Sequence, residues 1–208
     1  MARHPAVLAW TVLALLMAAG FTLLGLELGE RPSALQFFAE NGPIETVECL
    51  FLAIAIVPFS LAAINLTRGH ALTCIGVMVV IALMIVRETP RCGSIYSTAD
   101  ACLPASGKLV AYILIAVVLT LMLVAKRFVP MRKSAYLVIS EHRWIWPVVW
   151  VVAILGGAQL AEHLHEVGVE EMLELCAYLY LALIGLWVLR HSCQLTDASA
   201  PIRRGMCR

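Results

Sequence analysis

Residues 43–65 read PIETVECLFLAIAIVPFSLAAIN. From Cys49 to Asn65 no side chain carries a charge, and apolar residues surround the chain axis without a polar stripe. A helix that is apolar all round is buried in protein or lipid. Its length decides between the two, because about 20 residues of helix cross a bilayer's hydrocarbon core. Lipid offers the backbone no hydrogen-bond partner, so a segment of this kind crosses as a helix. The stretch opens on Glu45 and Glu48, three residues apart and therefore on one helical face.

Apolar stretches long enough to cross recur outward from this segment, at residues 5–26, 71–87, 109–125, 145–161 and 171–189, the third and fifth spans of the six being short. With 62% hydrophobic residues and a mean hydropathy of +0.89, the chain falls in the membrane class. The expected fold class is all-α: a polytopic bundle of six transmembrane helices over residues 1–190, followed by a polar, mobile tail at 191–208. The first span is too long and too weakly basic at its start for a cleaved signal peptide, and is read as an anchor.

Lysine and arginine orient the bundle. With both termini cytoplasmic, eleven of the fifteen basic residues fall inside: Arg3, Arg68, Lys126, Arg127, Arg132, Lys133, Arg143, Arg190, Arg203, Arg204 and Arg208. Arg31, Arg87, Arg91 and Lys108 fall outside, a clear positive-inside bias. The acidic residues run the other way, with only Glu141 and Asp197 of the fourteen inside. The formal net charge of +1 hides this polarity and gives no reason to expect a nucleic-acid partner. The expected setting is a bacterial inner (plasma) membrane, with the lipid bilayer as surroundings and a membrane protein or a second copy as partner. Cys92 and Cys102 share an outer loop, where disulfides persist, and are expected to be bridged. Trp144, Trp146 and Trp150 follow the basic cytoplasmic loop and read as interfacial anchors.

The outer rim gathers carboxylates from distant parts of the chain: Glu40, Glu45, Glu48, Glu88, Glu162, Glu166, Glu170, Glu171 and Glu174, with His163 and His165. Like charges at a low-dielectric boundary repel and lose solvation, so a metal ion, protons or basic partners must compensate them. Carboxylates opening a helix have an ordinary explanation in the macrodipole, which covers Glu45, Glu170 and Glu171. Glu88 and Glu162 close helices, where the dipole disfavours them, and Arg87 offers Glu88 or a neighbouring helix a structural partner. Were the fifth helix to continue, Glu162 and His165 would form an E-x-x-H pair. That pair, facing carboxylates on other helices, is the ligand logic of di-metal bundles. The expected metal ligands are Glu48, Glu88, Glu162, His163, His165 and Glu174, holding zinc, iron or manganese. Glu45 and Glu171 are candidate general bases toward a metal-bound water.

The segment Glu40-Asn41-Gly42-Pro43-Ile44-Glu45, with Arg87-Glu88 and Glu170-Glu171-x-x-Glu174, resembles uncharacterised bacterial multi-pass membrane proteins with an E-[DN]-G-x-x-E helix start. That resemblance brings no activity with it. Three functions follow from the residues, in this order. The first is a metal-dependent hydrolase or oxidase acting on a lipid or small extracytoplasmic substrate. The second is a non-enzymatic assembly or accessory subunit whose acidic rim is structural or docks a partner. The third is a proton-coupled transporter, which ranks last because no polar path crosses the spans.

Overall fold

The computed structural model describes residues 5–31, 37–38, 43–66, 68–89, 92, 102–125 and 142–197. Glu40, the basic loop at 126–141 and the tail beyond 197 lie outside the described residues. The described residues form six helices: α1 (Pro5–Gly29), α2 (Pro43–Asn65), α3 (Arg68–Glu88), α4 (Ala105–Ala125), α5 (His142–His163) and α6 (Val167–Asp197). Helix α6 continues through residues 191–197, so the beginning of the expected tail is helical.

Five of these helices are long and apolar enough to cross a membrane, namely α1, α2, α3, α4 and α6. The chain is therefore a helical membrane bundle. The expectation of six spans is finer than this. Helix α5, with 22 residues, also has the length of a span and packs within the bundle, against α6 and α1.

Helix α6 is the hub, packed against α1, α2 and α5, while α3 lies on α2 and α4 lies on α3. Burial follows that order: 67% of the membrane-length stretch of α6 is buried, against none of that of α4. Leucine and valine cover the outer faces of α1 and α4, as lipid contact requires. Toward the N-terminal end of α1, Thr11 is fully used. Its hydroxyl donates to the Val7 carbonyl (2.9 Å) and accepts from the indole nitrogens of Trp146 (2.7 Å) and Trp150 (3.3 Å). These two tryptophans fasten α5 to α1. Phe38, between α1 and α2, is buried against Met172 and Leu175 of α6.

The α5–α6 connection is very tight. The Glu166 amide donates to the Ala161 carbonyl and the His165 amide to the Glu162 carbonyl, both at 3.0 Å. This is the paired bonding of a Schellman stop, with His165 in the left-handed position at φ 61°. The Glu166 carbonyl then accepts from the amides of Val169 and Glu170 and starts α6. A side chain other than glycine pays about 1–2 kcal/mol for that conformation. His165→Gly is therefore expected to stabilise the protein by about 1 kcal/mol. The measurement is equilibrium unfolding in detergent, and a loss of stability would show that the imidazole makes a contact of its own.

Candidate functional site

Helix direction brings the site together. The N-terminal ends of α2 and α6 and the C-terminal end of α3 lie at the same end of the bundle, where α2 packs against both α3 and α6. Glu45 lies in the first turn of α2, and Glu48 follows one turn later on the same face. Arg87 and Glu88 close α3. Helix α6 contributes Glu170 in its first turn, then Glu171, Glu174 and Tyr178. Steps of three and four residues keep Glu171, Glu174 and Tyr178 in a row. At 1.5 Å per residue, Glu174 lies about 10 Å along α6 from its start.

One oxygen from each of Glu48, Glu88 and Glu174 lies within 4.8 Å of the other two. Arg87 holds two of these three residues. Its Nη2 donates to both oxygens of Glu174, at 2.7 and 2.9 Å, and its Nε donates to Oε1 of Glu88 at 2.7 Å. Tyr178 donates from its hydroxyl across the same pair, 3.2 Å from Glu88 Oε1 and 3.3 Å from Glu174 Oε2. The Lys108 ammonium, from the first turn of α4, donates to the Arg87 carbonyl at 3.3 Å. It thereby caps the end of α3 and offsets the dipole that Glu88 faces there.

Glu48 is treated differently. It is 0% exposed, and neither carboxylate oxygen has a hydrogen-bond partner. Its electrostatic neighbours are Glu171, Glu174, Glu88 and Glu45, all of its own sign. A buried polar group without a partner costs about 1–3 kcal/mol, and an ionised one more. Three carboxylates share one guanidinium, which bonds only two of them, and the excess of negative charge is of the kind a divalent cation offsets. The donor set is all oxygen, the kind that hard divalent cations such as calcium take.

Of the expected ligands, the structure brings together Glu48, Glu88 and Glu174, and leaves out Glu162, His163 and His165. These last three residues are exposed. The reason is the Schellman stop: the E-x-x-H spacing needs a continuous helix, and α5 ends at His163. Glu162 lies beside Glu170 at the mouth and not among the buried carboxylates. Of the two candidate bases, Glu171 and Glu45 are both half-buried and are electrostatic neighbours of each other and of Glu48.

Close by, Cys92 and Cys102 are joined by a disulfide, with their Cα atoms 4.9 Å apart, and the Cys92 amide donates to the Leu103 carbonyl at 3.2 Å. The bridge ties the end of α3 to the start of α4, the two segments that supply Arg87 and Lys108.

Compared with known proteins, the chain matches no family model, no curated sequence and no solved structure.

Proposed function

We propose that this protein binds a divalent cation through Glu48, Glu88 and Glu174, at the extracytoplasmic end of a six-span inner-membrane bundle with both termini in the cytoplasm. The observation that carries the reading is Glu48, completely buried, without a hydrogen-bond partner and aimed among carboxylates. A buried carboxylate without a partner costs about 1–3 kcal/mol or more, a cost that a bound cation would offset. The positive-inside bias of the loops supports the orientation.

The donors also narrow the metal. Zinc, iron or manganese is the expectation for imidazole together with carboxylates, and His163 and His165 are exposed at the end of α5. An all-oxygen set suits hard cations, namely calcium, magnesium or manganese. Bound there, such an ion would supply Lewis acidity toward an anionic or carbonyl oxygen of a lipid head group or small extracytoplasmic substrate. Glu171 and Glu45 are the neighbouring groups able to take a proton in a hydrolytic reaction.

A second reading is favoured by a specific observation. Arg87 and Tyr178 already satisfy both oxygens of Glu174 and one of Glu88, as a purely structural network in an accessory subunit would require. Cation titration separates the two. Protein purified with chelator and titrated with Ca2+, Mg2+, Mn2+ and Zn2+ is expected to bind one oxygen-preferring ion per chain and to gain thermal stability on doing so. Glu162→Gln and His163→Ala should leave that response unchanged. Absence of binding, with stability indifferent to chelator, would favour the structural network.

A further inference from the structure

Every oxygen of Glu174 and Oε1 of Glu88 are already in use, and the group that uses them is a cation, Arg87. An ion entering between Glu48, Glu88 and Glu174 meets a guanidinium already bonded to both oxygens of Glu174 and to one of Glu88. The two ends of these ion pairs are not alike. The side chain of Glu174 is 6% exposed and that of Glu88 is 10%, while that of Arg87 is 57% exposed. The carboxylates are held inside the bundle, and the arginine reaches them from its surface. A long side chain with most of its area outside can withdraw toward the interface without disturbing the core.

We infer that Arg87 is an exchangeable occupant of this site: it neutralises Glu88 and Glu174 when no metal is bound, and a divalent cation takes its place on the same carboxylates. This rests on the cation reading above and adds a claim that reading does not need, since an arginine could equally hold the ligands in position for the metal. The two roles have opposite consequences. A positioning arginine makes binding tighter when present. A competing arginine makes it weaker, because its ion pairs must be broken before the metal can settle.

Exchange also explains why Glu48 is the carboxylate left without a partner. Arg87 bonds the other two, so in the metal-free arrangement Glu48 is the carboxylate with both oxygens vacant, beside Oε2 of Glu88, which is unbonded among the described residues. An incoming ion gains Glu48 first and displaces Arg87 afterwards. The guanidinium then keeps the interface, where the Lys108 ammonium already lies against its backbone.

The test compares Ca2+, Mg2+ and Mn2+ affinity in the full chain, wild type against Arg87→Gln and Arg87→Lys, by titration calorimetry and by cation-dependent thermal shift. Exchange predicts binding at least tenfold tighter in Arg87→Gln than in wild type. It also predicts a variant that is unstable in chelator and restored by the cation. Arg87→Lys keeps the charge but cannot fork across two carboxylates, so its affinity should fall between the two. If Arg87→Gln folds poorly, the Arg87→Lys comparison with wild type still carries the sign. Wild type binding the ion with both variants binding more weakly would overturn exchange and leave the cation reading standing. No binding in wild type or in either variant would overturn both.

Discussion

Glu48→Leu is expected to make the cation-free protein more stable, by about 1–3 kcal/mol, and to abolish its response to divalent cations. Both effects follow from one residue's surroundings. Glu48 is fully enclosed, its oxygens have no partner, and its nearest charged neighbours are other glutamates. Replacing a buried carboxyl group that has no partner by an apolar side chain of similar volume removes a desolvation cost and fills the same space. The contrast within the cluster sharpens the prediction. Glu174 is almost as buried, yet Arg87 bonds both its oxygens and Tyr178 bonds one. Glu174→Leu strands those donors and should destabilise the protein, so two glutamates of one cluster should change stability in opposite directions. Glu48→Gln, which keeps the shape and loses the charge, should also lose the cation response. Equilibrium unfolding in chelator and in saturating Ca2+ reads all three variants. A cation response that survives Glu48→Leu would remove Glu48 from the ligand set.

How far the sequence could be read depended on which physical constraint acted. Lipid enforces length and apolarity on each helix, so residues 43–65 could be bounded from composition alone and coincide with α2. The same constraint reveals which ends of the helices carry carboxylates. It does not reveal how each helix is rotated about its axis, and rotation selects Glu48, Glu88 and Glu174 from the wider rim. Glu162 and His165 looked the sharpest because their spacing fits a continuing helix. Nothing in Glu162-His163-Leu164-His165-Glu166 carries the usual glycine or proline of a helix stop, and a histidine takes the left-handed position instead. A local signal existed for one feature that charge patterns could not show. Residues 25–29 read GLELG, a small-xxx-small spacing that lets two backbones approach closely in a membrane.

That spacing is where the other large effect is expected. Gly25 and Gly29 of α1 meet Gly168 in the first turn of α6, backbone against backbone. A Cβ added to Gly168 would lie 2.6 Å from the Gly25 carbonyl oxygen and 3.1 Å from the Gly29 Cα. A Cβ added to Gly25 would lie 2.9 Å from the Val169 Cα. The obstructing atoms are main chain, so no rotamer change relieves the clash and the helices must separate. Gly168→Ala and Gly25→Ala are each expected to cost about 3 kcal/mol, the upper part of the usual range for overpacking. Gly20→Ala is the control within α1, because nothing lies within 4 Å of its added Cβ. There the better helix former should be neutral or stabilising by up to about 1 kcal/mol. Equal effects at Gly20 and Gly25 would mean that α1 does not cross α6 at this point. The crossing also bears on the cation site. Gly168 precedes Glu170, Glu171 and Glu174 on the same helix, so pushing α1 away from α6 shifts the segment that aims Glu174 at Arg87 and Glu48. Gly168→Ala should therefore weaken Ca2+ binding as well as stability, while Gly20→Ala changes neither for the worse. A Gly168→Ala protein that is destabilised yet binds Ca2+ with wild-type affinity would show that the carboxylates are held by α2 and α3 alone.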